Sequence, residues 1–302
     1  MTLRGTLKNI AYIALFIILL PVIPALVNGA RNLYNRHIDP RSQVAVISIK
    51  GILYDSGYYT KYLHDYFKND QIKAILLKIE CPGSAAGTGN AIYNEIKTLK
   101  KEYPKPVIVL VENVCASGGY YIACAADHII ASPAALIGSI GVAIPYLFKL
   151  KEFVEHYHIK YEPLAAGDYK NSTNPFTPLT SEQKKMLQEV LDDSYNQFVS
   201  DVAQERNLSI NTAKQWANGK IFNGNQALKL GLIDAVGSSS QAIQTIKEKT
   251  SITSDINWIK PPSKTGLLSL FGDSGEDQSL FSLFVNEVCS LLESRYSQHL
   301  LS

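Results

Sequence analysis

Residues 107–121, VIVLVENVCASGGYY, decide the fold prediction. The five apolar residues that follow Pro106 are typical of a buried strand, and Ser117 comes where the chain turns through two glycines towards a helix. Open α/β sheets carry their chemistry at the carboxyl ends of such strands. A serine beside exposed backbone N–H groups suits acyl transfer, because those groups can bind an oxyanion. The alternative is a glycine turn that simply begins with serine, since such turns are common.

Strands and helices alternate on both sides of this stretch. Apolar patterning predicts a β-α-β-α-β order, with strands at 44–50, 73–80 and 107–111 and helices at 58–68 and 91–102. Further strands are predicted at 128–131 and 138–143, and further helices at 180–206, 210–218 and 241–249. Thr180 to Gln183 has the sequence of a capping box that opens the first of these helices. Such alternation indicates an α/β fold with a parallel sheet and right-handed crossovers.

A second segment carries a lysine in a polar loop, Gly167-Asp168-Tyr169-Lys170, and Asn174-Pro175-Phe176 follows it. Together with Ser-Gly-Gly-Tyr-Tyr, these motifs resemble the signal peptide peptidase A family, which are membrane-anchored serine peptidases on the Clp-protease/crotonase fold. The likeness extends over residues 44 to 237, in this order: Gly138-Ser139-Ile140-Gly141-Val142, Pro178-Leu179-Thr180, residues 219–227 and residues 230–234. The resemblance implies a superhelix of β-α-β units preceded by a transmembrane helix.

The resemblance also implies the catalytic roles. Ser117 is expected to be the nucleophile, Lys170 the general base, and Ser139 the group that orients the lysine amine. A serine hydroxyl needs a base within hydrogen-bond reach, and Ser-Lys pairs are a known variant of the triad. Lys170 can act as a base only when its amine is neutral, which burial in an apolar cleft favours. A solvated surface lysine is the alternative. No cofactor and no metal are expected.

The expected oxyanion hole is where the chain departs from the family pattern. The family usually has Ser-Pro-Gly-Gly after the second core strand, whereas this chain has Cys81-Pro82-Gly83-Ser84. We expect the donors to be the N–H groups of Gly83 or Ser84 together with Gly118. Serine can replace the second glycine only where it can adopt the same φ and ψ.

Other functional interpretations of the sequence fit its residues less well. The spacing Gly83-x-x-x-Gly87-x-Gly89 does not fit a dinucleotide fingerprint. Cys115 lies two residues before Ser117 but has no histidine placed to activate it, and the four cysteines lack metal spacing. A net charge of +2 without a dense basic stripe predicts no nucleic-acid partner.

Both ends of the chain differ in composition from its centre. Residues 10–27 are mostly apolar, which predicts a membrane anchor over 1–30 and a linker over 31–43, with a cleavable signal peptide as the alternative. The peptidase domain is predicted over 44–260. An extension follows over 261–302, helical from about residue 280, with apolar residues at helical spacing that suit an oligomer contact, a partner or a membrane surface.

The family resemblance implies a setting and a substrate. We expect a single-pass protein of the inner membrane with its catalytic domain on the extracytoplasmic side. We also expect a ring-like homo-oligomer with sites at subunit interfaces, acting on hydrophobic peptides such as cleaved signal peptides. Two alternatives remain: a crotonase-like enzyme acting on acyl-thioesters, and a catalytically silent membrane scaffold or inhibitor, to which the departure at Ser84 points.

Overall fold

The computed structural model describes residues 42–144 and 147–261. The predicted membrane anchor, nearly all of the linker and the C-terminal extension from residue 262 lie outside the described residues. Within the described part of the chain, no helix is both long and apolar enough to cross a bilayer. The predicted domain boundaries therefore stay predictions.

The described residues form strands in two sheets, with helices between them. The strands are β1 (Ser42–Lys50), β2 (Ile72–Glu80), β3 (Val107–Val111), β4 (Val114–Ala116), β5 (His128–Ala131), β6 (Leu136–Gly138), β7 (Ile221–Asn223), β8 (Ala235–Val236) and β9 (Ile256–Ile259). The helices are α1 (Gly57–Lys68), α2 (Ala86–Glu102), α3 (Gly118–Ala123), α4 (Lys151–His156), α5 (Ser181–Arg206), α6 (Ala213–Trp216), α7 (Gly224–Lys229) and α8 (Ser239–Thr250).

The larger sheet has the strand order β8-β5-β3-β2-β1-β9, and all its neighbouring strands are parallel. Helices cover both faces. Residues of α1 and α2 pack in one core cluster, and Ala242 and Ile246 of α8 pack in the other. A sheet covered on both faces needs continuous apolar strands, which is why all five residues of β3 are buried. The predicted α/β class with a mostly parallel sheet is confirmed, and it fits a Clp-protease-like domain.

A second sheet carries the Ser117 turn. In this sheet β6 pairs with β4 in parallel and with β7 in antiparallel orientation. Ser117 was expected directly after the strand at 107–111, but the short strand β4 intervenes, so the serine follows a strand of this smaller sheet. Three residues are too few to show a period in the sequence, and β4 was therefore missed.

Several predicted boundaries needed correction. Helix α2 begins at Ala86 rather than at residue 91. The predicted strand 138–143 is wrong, because β6 ends at Gly138, where Gly138 and Ser139 both have positive φ, 100° and 51°. The predicted helix 210–218 is a 3-10 turn over Ile210–Thr212 followed by the short α6. The capping box is confirmed, since the Thr180 hydroxyl accepts from Gln183 N–H at 3.2 Å.

Candidate active site

Ser117 occupies a backbone conformation that L-residues rarely adopt. Its φ of 50° and ψ of −125° match the first central position of a type II′ turn, where glycine is usual. Such strain costs about 1–3 kcal/mol and persists only where the surroundings impose it. The surroundings here are two hydrogen bonds: Ser117 N–H donates to Gly138 O at 2.7 Å, and Tyr121 N–H donates to Ser117 O at 2.9 Å. The hydroxyl makes no capping bond to α3, which leaves it free for chemistry.

The glycines after Ser117 are explained by close packing. A Cβ placed on Gly118 would lie 1.9 Å from the Ser84 hydroxyl oxygen, and one on Gly119 would lie 2.5 Å from Cys81 O. Neither position can hold a side chain without moving its neighbours. The Ser-Gly-Gly sequence is thus the one that lets the Ser117 turn lie directly against residues 81–84.

The backbone of residues 83–85 presents a donor towards this turn. Leu53 N–H donates to Gly83 O at 3.2 Å, and Ala85 N–H donates to Leu53 O at 2.8 Å. In such a parallel bridge the N–H of the intervening residue, Ser84, points away from Leu53, and the Ser84 nitrogen lies 2.7 Å from where a Cβ of Gly118 would be. Gly118 is the first residue of α3, so its own N–H has no partner within the helix. Each of these two N–H groups is therefore left unused by its own bridge or helix.

Serine at position 84 is compatible with this geometry. Ser84 is not among the residues with positive φ, so it needs no conformation reserved for glycine. Its side chain lies where Gly118 and Gly89 lack a Cβ, and its hydroxyl donates to Ala85 O at 2.9 Å. The departure from the family's second glycine therefore costs no backbone strain.

These residues line one cleft of about 970 Å³. The predicted site residues that line it are Gly83, Ser84, Ser117, Gly118 and Ser139. Ser139 is half-buried, and its N–H donates to Lys220 O at 2.7 Å. Among the described residues, none that lines the cleft is charged and none is a histidine.

Lys170 lies elsewhere in the protomer. It is exposed, its N–H donates to Gly167 O at 3.1 Å within a turn, and it does not line the cleft. Gln183 at the beginning of α5 donates to Asp168 O at 3.1 Å, which holds the lysine loop, residues 167–176, at that end of the helix. The cleft contacts α5 from Ser194 onward, about 16 Å further along the axis at 1.5 Å per residue. The structure does not bring Lys170 to Ser117 of the same chain.

Comparison with known proteins identifies the family of this chain. The model of peptidase family S49 matches residues 99–253, a span that includes Ser117, Ser139 and Lys170. The chain belongs to peptidase family S49. Its relatives include a protein of Methanocaldococcus jannaschii that carries a protease name, 35% identical over 66% of this chain and 63% of that protein. A protein of Enterococcus faecium named as signal peptide peptidase SppA is 30% identical over 70% of this chain and 64% of its own length.

A third relative of this S49 chain is the chloroplastic serine protease SPPA of Arabidopsis thaliana, 33% identical over 61% of this chain and 27% of that protein. The matches with these three relatives span less than two thirds of the length of each of them. The names and the family match confirm the predicted resemblance to the signal peptide peptidase A family.

The cysteines of this S49 domain are unsuited to catalysis. Cys81, Cys115 and Cys124 are all buried and free. Burial raises the pKa of the Cys115 thiol well above its ordinary value, so the reactive thiolate is disfavoured. Cys115 therefore supports the Ser117 turn from β4 and is not a competing nucleophile.

Sequence reasoning missed the side chains that form one wall of the cleft. Tyr121 and Phe198 line it and stack with ring centroids 4.4 Å apart, and Asn90 lines it beside them. Tyr121 belongs to the quoted motif, but nothing in the sequence indicated that Phe198, on a helix far along the chain, would meet it. Tyr120 points the other way and donates its buried hydroxyl to Leu232 O at 2.6 Å.

Proposed function

We propose that this chain is a serine endopeptidase in which Ser117 is the nucleophile and Lys170 the general base. The observation that carries the proposal is the arrangement around Ser117. Ser117 stands on a strained turn, its hydroxyl makes no capping bond, and it lines one cleft with Ser84 and Gly118, whose N–H groups are the proposed oxyanion donors. Preorganised donors of this kind are the largest single contribution in many acyl-transfer enzymes.

The reaction follows from these positions. The Ser117 Oγ attacks the carbonyl carbon of a peptide bond while the Lys170 amine takes the hydroxyl proton. The carbonyl oxygen becomes an oxyanion that the N–H groups of Ser84 and Gly118 bind, with Gly83 shaping the approach. The lysine then gives its proton to the leaving amine as the C–N bond breaks, which leaves an ester on Ser117. Water, deprotonated by the same lysine, attacks that ester, and the lysine returns the proton to Ser117 Oγ as the ester C–O bond breaks and the acid is released.

The lysine is proposed to come from a neighbouring copy of the chain. The cleft of one protomer has no base among its described lining residues, and Lys170 lies at the far end of α5 from that cleft. Lys170 is exposed on a loop bonded to the beginning of α5, whereas the cleft contacts α5 from Ser194 onward, so its amine is available to the cleft of another copy. Ser139, which lines the cleft, is proposed to accept or donate a hydrogen bond at the incoming amine.

An exposed apolar surface supports the assembly this requires. Several large apolar side chains of residues 147–169 are exposed to solvent. The exposed fraction is 92% for Leu164, 59% for Phe153 and 60% for Tyr157. Soluble proteins rarely leave contiguous apolar surface uncovered. We propose that copies of the chain cover it in a ring-like homo-oligomer, with each active site at a subunit interface.

The substrate is proposed to be an extended hydrophobic peptide such as a cleaved signal peptide. The cleft walls are neutral, and they include Ile52, Val142 and Phe198. The apolar N-terminal segment supports a single-pass membrane anchor. From the resemblance to the signal peptide peptidase A family we further propose that the membrane is the inner one and that the peptidase domain lies on its extracytoplasmic side.

An activity-based fluorophosphonate probe tests the proposal directly, because only an activated serine reacts with it. We expect the full-length protein to be labelled, and the Ser117→Ala variant to be unlabelled although it assembles normally. Absence of labelling in a correctly assembled wild-type protein would favour the silent scaffold instead. Labelling that persists in Ser117→Ala would assign the nucleophile to another serine.

A further inference from the structure

The hydroxyl of Tyr121 joins three helices that border the cleft. Tyr121 lies on α3, the helix that follows the nucleophile. Its hydroxyl accepts a hydrogen bond from Asn90 Nδ2 on α2 at 2.9 Å and donates one to the carboxylate of Asp201 on α5. Asn90 and Tyr121 line the cleft, whereas Asp201 does not. Asp201 can therefore influence a bound peptide only through other side chains.

The ring of Tyr121 contacts the same helix at a second point. It stacks on Phe198, with centroids 4.4 Å apart and planes at 20°. Phe198 and Asp201 are three residues apart on α5 and so share one face of that helix. The hydrogen bond to Asp201 thus fixes the distance at which the two stacked rings meet, and those rings are the aromatic wall of the cleft.

The Tyr121 hydroxyl keeps its proton, and so its hydrogen bond to Asp201, at neutral pH. Burial, together with the hydrogen bond to Asp201, raises the pKa of Tyr121 above its ordinary value. The phenol therefore stays protonated and can donate to Asp201 while accepting from Asn90.

A similar hydrogen bond, further along α2 and α5, offers a control. Tyr93 on α2 donates its hydroxyl to Glu205 on α5 at 3.0 Å, and Lys97 pairs with the same carboxylate. Tyr93 also contacts the Tyr121 ring, with centroids 5.0 Å apart, but does not line the cleft. It joins α2 to α5 through the same kind of tyrosine–carboxylate bond without forming part of the wall.

We propose that Asp201 is a positioning residue for substrate selection: through the Tyr121 hydroxyl it holds the Tyr121–Phe198 wall against the large apolar side chain of a bound peptide. The inference rests on the proposed peptidase function. Without the bond between Tyr121 and Asp201 the two rings can separate. A large apolar side chain of the bound peptide then loses its contact with the wall. A methyl side chain is too small to depend on the wall, so the loss selects between substrates.

Peptide binding to the Ser117→Ala protein tests the inference without requiring hydrolysis. Two fluorescent peptides that differ only in carrying leucine or alanine at their central positions are titrated, and fluorescence anisotropy gives each Kd. We expect the leucine peptide to bind more tightly. Tyr121→Phe, which keeps the ring, and Asp201→Ala should each reduce the leucine-to-alanine preference about fivefold. Asp201→Asn, which still accepts the hydrogen bond, should restore it.

Tyr93→Phe is the matched control and should leave the leucine-to-alanine preference unchanged. Its melting temperature should fall by about as much as that of Tyr121→Phe, because each variant loses one tyrosine–carboxylate hydrogen bond. An equal loss of preference in Tyr93→Phe would overturn the inference, as would an unchanged preference in Tyr121→Phe or binding of neither peptide. In active protein the same variants should raise KM for the leucine peptide with little change in kcat. If wild type binds the leucine peptide selectively but cleaves neither, the peptidase proposal fails while the role of Asp201 stands.

Discussion

The Ser117 turn and the Lys170 loop differ in how their backbones are held. Around Ser117 the hydrogen bonds join distant segments, such as Ser117 N–H to Gly138 O and Ala116 N–H to Cys81 O. In the lysine loop the bonds of Lys170 and Ser172 stay local, to Gly167 and Tyr169, and the longer-range bonds come from Gln183 and Leu150 on the flanking segments. The first region is packed in the core of the domain, and the second is mostly exposed.

The difference shows what each proposed role demands. A nucleophile must be held in one strained geometry next to its oxyanion donors, and only a packed core can impose that. A lysine that completes another copy's site must instead extend away from its own core. Its final position is then decided by the copy that it meets. On the proposed mechanism the Ser117 turn is therefore a finished half-site, and the Lys170 loop is one that a second copy must complete.

The largest effect is expected at the nucleophile. Ser117→Ala should lower peptide hydrolysis at least about 1000-fold, because no other group can form the acyl intermediate. Ser117→Gly should be equally inactive but should melt about 2 to 4 °C higher than Ser117→Ala, since glycine adopts a φ of 50° without strain. Calorimetry of both variants measures the strain. Equal melting temperatures would mean that the turn is relaxed.

Mixed assemblies test whether the lysine comes from another copy. Ser117→Ala and Lys170→Ala subunits are each inactive alone, but random co-assembly in equal amounts should regain about a quarter of wild-type activity. A shared site has about one chance in two of receiving an intact serine and one in two of an intact lysine. Hydrolysis by verified mixed oligomers gives the answer. Activity no higher than that of either parent would place both residues in one chain.

A glycine substitution tests how tightly the finished half-site is packed. Gly118→Ala should lower kcat about 100-fold, because the new Cβ would lie 1.9 Å from the Ser84 hydroxyl and push the two oxyanion donors apart. Gly87→Ala is the matched control, since Gly87 lines the same cleft but has open space around a Cβ. Adding Ser84→Gly should restore part of the activity of Gly118→Ala. Similar kcat values for Gly118→Ala and Gly87→Ala would contradict this account of the oxyanion site.

The smallest effect concerns the stability of the core that holds the turn. Asp234 accepts two hydrogen bonds from Arg206, each 2.9 Å, and one from Ile129 N–H at 2.7 Å. Burial alone would raise the pKa of Asp234, but the bonds and charge of Arg206 outweigh it, and the net pKa lies below the ordinary value. A lowered native pKa stabilises the fold above the unfolded-state value, about 3.9, and this contribution is lost as the pH falls through the native value.

We therefore expect the free energy of unfolding to fall in acid below about pH 4, and to fall less steeply in Asp234→Asn. Urea titrations between about pH 3 and about pH 7 measure both slopes. Among the residues that the structure describes, Lys170 forms no such pair, so Lys170→Ala should follow the wild-type profile. Identical slopes in wild type and Asp234→Asn would show that another carboxylate governs acid unfolding.

The sequence predicted much of the larger sheet. β1, β2, β3 and β5 lie within two residues of their expected bounds, because continuous apolar runs are what a doubly covered sheet requires. The smaller sheet was mostly missed, since its strands have only three residues each. The predicted nucleophile, oxyanion residues and Ser139 do line one cleft, whereas Lys170 does not.

The sequence by itself determined the α/β class, the family and which serine follows the strand-rich core, because apolar period and motif order are local properties of the chain. Only the tertiary structure decided that Ser117 is held at a φ of 50°, that Ser84 fits against Gly118, and that Lys170 does not line the cleft of its own protomer. Those features depend on contacts between segments far apart in the chain. Such contacts are fixed by packing, which no local pattern records.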